Sequence, residues 1–137
     1  MTDFNEFNRS VVEEFRANEG KVTGMFAGAP MILVTHRGAK SGKEYTSPLV
    51  HTRDGDAYVI IASKAGAPDD PQWFRNLVAN PDVTVEVGAE KFAARARVAE
   101  GAERDRLFRA QADAMPNFDE YATKTTRTIP VVVLERT

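Results

Sequence analysis

The feature that most constrains the fold is a dipeptide, Asp54–Gly55, between two runs of β-type residues. Tyr45–Arg53 precedes it and Ala57–Ala62 follows it, and both runs are rich in β-branched and aromatic side chains. Asp-Gly favours the tight turn that joins antiparallel strands. The sequence therefore predicts a β-hairpin, in which Pro48 marks an edge strand or a bulge because proline cannot donate to a ladder.

Further short runs of the same composition follow along the chain, and glycine, proline or asparagine separates them. The additional predicted strands are Met31–His36, Val83–Val87, Lys91–Val98 and Ile129–Leu134. Five or six short strands in meander order predict a small antiparallel barrel, a mainly β member of the α+β class.

Helical periodicity occurs around and between these strands. Apolar residues spaced three and four apart predict an amphipathic helix over Phe4–Ala17, and a charged helix is predicted over Gly101–Ala114. A short helix over Gln72–Ala79 follows Asp69–Asp70, where we expect an acidic cap, and Asp119–Lys124 predicts another short helix. The barrel should thus carry one helix at its N-terminus, one between hairpins and one before the last strand.

Composition narrows the class of protein. A chain of 137 residues with 42% hydrophobic and 28% charged residues predicts a single domain over residues 1–137. A net charge of −2 argues against nucleic acid as a partner, and the absence of cysteine together with only two histidines argues against a metal site. The apolar runs are too short to span a bilayer and the polar start lacks a signal peptide, so we expect a cytoplasmic protein.

Three cations and a hydroxyl lie in one connection between strands, Arg37–Gly38–Ala39–Lys40–Ser41–Gly42–Lys43. A turn with two glycines can direct backbone N–H groups and ammonium groups at a phosphate. It is not a P-loop, because the spacing is one residue too short and a strand follows it. Spacing alone favours a plain solvated turn, so both interpretations stay open.

A second connection, Ser63–Lys64–Ala65–Gly66–Ala67–Pro68, leaves the end of a predicted buried strand. Its small residues would allow a flat ring to lie against the backbone, although a glycine-rich connector explains the same sequence. A cationic loop and a loop that suits a ring together favour a phosphorylated aromatic cofactor over either plain connector.

Three further side chains are candidates for the same site. Trp73 and Asn76 share one face of the short helix; the alternative is a core aromatic residue with an exposed amide. Tyr121 lies in a polar segment before the last strand, where it could donate to a substrate oxygen, or the segment could be a solvated loop.

An ordered combination of motifs resembles the deazaflavin-dependent nitroreductase and quinone reductase family. The match runs nearly end to end, and its pieces are Gly38–Lys43, Thr46–Leu49, Arg53–Asp56, Ala62–Ala67, Trp73–Pro81 and Arg127–Glu135. The resemblance implies a split β-barrel related to the flavin-binding pyridoxamine-phosphate-oxidase-like fold. It also implies coenzyme F-420, an 8-hydroxy-5-deazaflavin with a phospholactyl polyglutamate tail, as cofactor.

The resemblance also implies roles for individual residues. Lys40, Ser41 and Lys43 would hold the phosphate of the coenzyme. The deazaflavin ring would be lined by Ala62, Ser63, Lys64, Ala65, Gly66, Ala67, Trp73 and Asn76. Tyr121 falls where relatives place a tyrosine that faces the substrate.

The chain departs from the family pattern at two positions. Some relatives have arginine where this chain has Ala39, and another cation where it has Tyr45. The phosphate would then depend more on Arg37 and Lys43, or be bound more weakly.

The activity implied is transfer of hydride from the reduced coenzyme to a quinone, an enone or a nitroaromatic compound. A non-catalytic carrier of deazaflavin or of an apolar ligand is the first alternative, and an FMN-binding split-barrel protein is the second. The small-molecule acceptor is the expected partner, and the protein should be a monomer or a homodimer. The apolar face of the first helix could touch a membrane peripherally, but its acidic opposite face favours packing on the barrel.

Overall fold

A computed structural model describes residues 4–23, 30–63, 70–125 and 128–137. The described residues form four helices and seven strands, and most of their bounds lie within two residues of those predicted. The helices are α1 Phe4–Ala17, α2 Gln72–Ala79, α3 Gly101–Ala114 and α4 Asn117–Thr123. The strands are β1 Met31–Arg37, β2 Glu44–Val50, β3 Thr52–Asp54, β4 Ala57–Ile61, β5 Asp82–Val87, β6 Glu90–Val98 and β7 Val131–Arg136.

The strands form one antiparallel sheet in the order β2-β1-β5-β6-β7-β4-β3. Its two edge strands, β2 and β3, follow each other in the chain with only His51 between them. The sheet must therefore curl until its edges meet, which gives a split barrel. This confirms the predicted class, α+β and mainly β, with an antiparallel split barrel that carries helices.

Two details of the predicted sheet were wrong. The run Tyr45–Arg53 is not one strand, because the chain leaves the ladder with β1 at His51 and then pairs with β4. The described strands number seven rather than five or six, and they are not in meander order. The Asp54–Gly55 hairpin is confirmed, with Asp54 opposite Ala57.

The barrel interior is a central apolar cluster, and two outer clusters lie under the helices. Period-two alternation sends Ile32 and Val34 of β1 inward, where they join Leu134 of β7. On the outside, α3 and α4 cover β4 and β7. Helix α1 covers β1 with Val11, Val12 and Phe15, which pack on Met31 and Leu33.

Helix α1 is held to the barrel by packing and by an ion pair. Val11 and Phe15 are 8% and 1% exposed. Arg16 donates two hydrogen bonds to the Glu86 carboxylate on β5, from Nε at 3.0 Å and from a terminal nitrogen at 2.8 Å. This part of the apolar face thus packs on the barrel, which is the alternative that the acidic opposite face favoured over membrane contact. No helix among the described residues is long and apolar enough to cross a membrane.

The N-cap residue of α2 is not Asp70, contrary to the prediction of an acidic cap. The residue before the helix is Pro71, whose backbone is extended, and no side chain there caps the helix. Pro71 has φ −66° and ψ 152°, so the helical backbone begins only at Gln72 and the capping position falls on Pro71 and not on Asp70. Asp69 lies outside the described residues.

We predict that Gly20→Ala destabilises the fold more than Gly55→Ala does. Both glycines have positive φ, +92° and +61°. A Cβ at Gly20 would lie 2.9 Å from the Gly88 Cα, whereas no described atom lies within 4 Å of one at Gly55. The left-handed backbone costs an alanine about 1 kcal/mol at either site, and the backbone contact should add about 1–3 kcal/mol at Gly20. Urea unfolding of both variants measures the difference, and equal destabilisation would contradict the close approach.

Candidate functional site

The basic turn and the loop after β4 emerge at the same end of the barrel. Four antiparallel steps separate β1 from β4 in the sheet, so the two strands run in the same direction. The basic turn, residues 38–43, follows β1, and Ala62 and Ser63 follow β4. The fold thereby places Ala62 and Ser63, where the second connection begins, at the barrel end that carries the basic turn.

The basic turn has a defined backbone. The Gly38 N–H donates to the Lys43 carbonyl at 2.8 Å, and the Gly42 N–H donates to the Gly38 carbonyl at 3.1 Å. Gly42 has φ +71°, which an L-residue rarely adopts. The Lys43 N–H donates to Ser41 Oγ at 3.2 Å, so the serine hydroxyl also braces the turn.

The turn presents positive charge and N–H groups that no described group neutralises. Arg37, Lys40 and Lys43 are exposed, and none forms an ion pair within the described residues. The N–H groups of Lys40 and Ser41 likewise find no acceptor in that part of the chain. Unpaired ammonium groups beside free N–H donors are what a phosphate requires, so these residues fit a phosphorylated cofactor.

Asn76 of α2 holds the turn through its buried side-chain amide. Its side chain is 2% exposed, and its Oδ1 accepts from the Ala39 N–H at 3.0 Å and from Gln72 Nε2 at 3.1 Å. Its Nδ2 lies 3.0 Å from His36 Nδ1. The alternative of an exposed amide is wrong, because three partners bury Asn76 beneath the turn.

His36 is a site residue that the sequence analysis missed. It is 4% exposed, its Nε2 lies 2.9 Å from Ser47 Oγ, and the Tyr45 ring stacks on it with centroids 6.1 Å apart. Burial lowers the pKa of His36 to about 4, so the ring is neutral at pH 7. The alternation Ile32–Val34–His36 already indicates an inward imidazole, which needs partners.

The ring-lining candidates are only partly described. Ala62 is fully buried and its N–H donates to the Pro130 carbonyl at 2.9 Å, while Ser63 is 8% exposed. Lys64, Ala65, Gly66 and Ala67 lie outside the described residues. Trp73 is half-buried and packs against the central cluster. Their contact with a ring stays a prediction.

Tyr121 lies on α4, over the outer cluster that covers β4 and β7. Its ring meets Phe118 edge-on at 5.4 Å, and Lys124 Nζ lies 5.9 Å from its centroid. Its Oη accepts a hydrogen bond from Asn117 Nδ2 at 2.8 Å. The segment at Tyr121 is thus helix rather than a solvated loop.

His51 lies at the opposite end of β1 from the basic turn. Its N–H donates to the Pro30 carbonyl at 2.9 Å, and burial lowers its pKa. Ser47, which precedes His51 on the same run of chain, bonds His36 instead. His51 therefore belongs to the junction of β2 and β3 and not to the site.

Comparison with known proteins gives one family. The model of the F420H(2)-dependent quinone reductase family matches residues 7–136. The chain belongs to this family. An F420H(2)-dependent quinone reductase of Mycobacterium tuberculosis is 40% identical over 126 residues, which cover 89% of this chain and 85% of that protein. The match confirms the resemblance, and with it an oxidoreductase that uses coenzyme F-420.

Two solved structures of similar sequence share the fold. An F420-H2 dependent reductase (FDR-A) is 41% identical, with a TM-score of 0.72, and covers 77% of this chain and 94% of its own. A structure described as a domain-swapped dimer is 36% identical, with a TM-score of 0.74, and covers 98% of each chain.

We predict that His36 makes the stability of this protein depend on pH. Its pKa is about 4 in the folded chain against 6.5 for an ordinary histidine, so the unfolded chain binds more protons between these values. Stability is therefore full above pH 6.5 and falls as the pH decreases towards 4. From pH 7 to pH 5 the loss due to His36 should be about 2 kcal/mol.

Urea unfolding at pH 7 and pH 5 tests this, with His36→Asn as the control because asparagine does not titrate. The carboxylates and His51 contribute equally to the pH dependence of unfolding in both proteins. The same pH dependence in both would contradict a neutral, buried His36.

Proposed function

We propose that the chain carries hydride from reduced F-420 to a quinone, with the basic turn holding the phosphate of the coenzyme and the loop after β4 lying beside its ring. The observation that carries the proposal is the set of unpaired cations and N–H groups at the turn. These cations and N–H groups lie at the same end of the barrel as Ala62 and Ser63, which follow β4. A phosphate and a ring of one ligand could therefore be held by two connections of one domain.

The bound coenzyme would supply a hydride as a two-electron carrier. The residues of the chain would bind, orient and exclude water. Lys40 and Lys43 would neutralise phosphate charge, and Arg37 lies close enough in sequence to join them. The Ala39 side chain carries no charge, but the Ala39 N–H donates to Asn76 and so holds the turn in place.

Tyr121 is the proposed proton donor to the acceptor oxygen. Because its Oη accepts the Asn117 amide hydrogen at 2.8 Å, its own hydrogen is free to point elsewhere. A fixed hydroxyl that keeps a free proton suits donation to the oxygen of a reduced quinone. Enones and nitroaromatic compounds present the same need and are proposed as further acceptors.

We infer a homodimer as the assembled state, supported by the relative described as a domain-swapped dimer. A cytoplasmic location stays a prediction, as does the single domain over residues 1–137.

We predict that Lys40→Ala raises the Kd for oxidised F-420 about tenfold, because a charge-assisted hydrogen bond to phosphate is lost. Quenching of the fluorescence of Trp73, the one tryptophan of the chain, measures the Kd. Lys91→Ala is the matched control, an exposed lysine of β6 near the opposite end of the barrel. An unchanged Kd for Lys40→Ala would remove the phosphate role. Binding of FMN in place of F-420 would favour the flavin alternative.

We predict that Tyr121→Phe lowers kcat for a quinone about a hundredfold and leaves the Kd for F-420 within about twofold, since only the donated proton is lost. Steady-state rates with reduced F-420 measure the effect. An unchanged kcat would show that another donor or water supplies the proton. No turnover of any acceptor by the unaltered protein would favour the carrier alternative.

A further inference from the structure

The basic turn contains two glycines, and an anchor outside the turn restricts its shape further than its own hydrogen bonds do. These are Gly38 and Gly42, and glycine gives the backbone freedom that other residues lack. A turn that must be ordered when phosphate binds loses affinity to that ordering, whereas a turn held beforehand does not. The groups that hold this turn should therefore influence coenzyme affinity through the shape of the turn.

The direction of the hydrogen bonds beneath the turn follows from one backbone group. The Ala39 N–H can only donate, so the Asn76 atom that it meets at 3.0 Å is the amide oxygen. The amide nitrogen then faces His36 Nδ1 at 3.0 Å and donates to it. His36 Nδ1 must be bare, and in a neutral ring the proton lies on Nε2, which donates to Ser47 Oγ at 2.9 Å.

His36 also reaches the other limb of the turn. The Tyr45 ring stacks on the imidazole at an interplanar angle of 29°, and Tyr45 Oη lies 3.3 Å from Ser41 Oγ. Ser41 Oγ accepts from the Lys43 N–H. One buried imidazole thus supports the turn at Ala39 through Asn76 and at Ser41 through Tyr45.

We propose that His36 is a positioning residue for the phosphate-binding turn: as the Nε2–H tautomer it fixes the Asn76 amide, and through it the Ala39 N–H. This leaves the Lys40 and Ser41 N–H groups in one arrangement for the phosphate. The inference rests on the proposed function, in which the turn binds the phosphate of F-420.

Two substitutions separate the two ends of the imidazole. In His36→Asn the side-chain amide reaches the place of Nδ1, so an acceptor for Asn76 is retained. In His36→Gln the amide reaches the place of Nε2, so the bond to Ser47 is retained and the acceptor for Asn76 is lost. A general loss of core stability would affect both variants, whereas the proposed role affects the glutamine variant.

The ligands separate the phosphate from the ring. Isothermal titration calorimetry is carried out with F-420 and with its phosphate-free fragment, the deazaflavin that carries only the ribityl chain. We expect His36→Gln to raise the Kd for F-420 about tenfold, because a buried hydrogen bond is left unmade, and His36→Asn to stay within about threefold. The Kd for the fragment should change less than about twofold in both.

Lys40→Ala, measured beside them, distinguishes the two levels of the argument. If Lys40→Ala weakens F-420 binding and His36→Gln does not, the positioning role is overturned and the phosphate site stands. If neither variant affects F-420 binding, the phosphate site itself is overturned. Equal losses in His36→Gln and His36→Asn, or equal losses for F-420 and the fragment, would also overturn the positioning role.

A measurement on the unaltered protein keeps the inference testable should a variant fail to fold. Nitrogen-15 NMR of the labelled histidine ring distinguishes a bare ring nitrogen from a protonated one. We expect a bare Nδ1 and a protonated Nε2 for His36 at pH 7. A proton on Nδ1 would reverse the chain of hydrogen bonds and overturn the proposal.

Discussion

The closure of the sheet is the constraint on which the rest of the structure depends. β2 and β3 are two parts of one run of chain, and they pair with β1 and β4 on opposite edges of the sheet. With every pairing antiparallel, β1 and β4 must run in the same direction. The basic turn after β1 and Ala62–Ser63 after β4 then lie at the same end of the barrel, which is where we propose the cofactor site.

At this end of the barrel, a few hydrogen-bonded polar side chains are buried beside the apolar interior. His36 and Asn76 are almost fully buried, and each would cost the fold several kcal/mol if left without a partner. Instead a series of hydrogen bonds runs from Ser47 through His36 and Asn76 to the Ala39 N–H of the basic turn. The same bonds that satisfy the interior fix a surface loop, which links the packing of the barrel to the geometry of ligand binding.

Local patterns identified the elements because they depend on near neighbours in sequence. The turn at Asp54–Gly55 and the bounds of α1 and α3 agree with the structure. The predicted strand Tyr45–Arg53 was wrong because long-range pairing decides where that strand is divided. His51 interrupts a run with uniform β propensity, because the chain there changes its partner from β1 to β4.

The candidate site divides in the same way. The basic turn could be recognised from its composition, and the family from the order of its motifs, since both are properties of the sequence alone. The importance of His36 could not, because its partners Ser47 and Asn76 are 11 and 40 residues away and only the barrel brings them together. The sequence by itself determined the family, the elements and the charge of the turn. Only the tertiary structure decided which buried groups hold that turn, because hydrogen bonds between distant residues exist only once the sheet has closed.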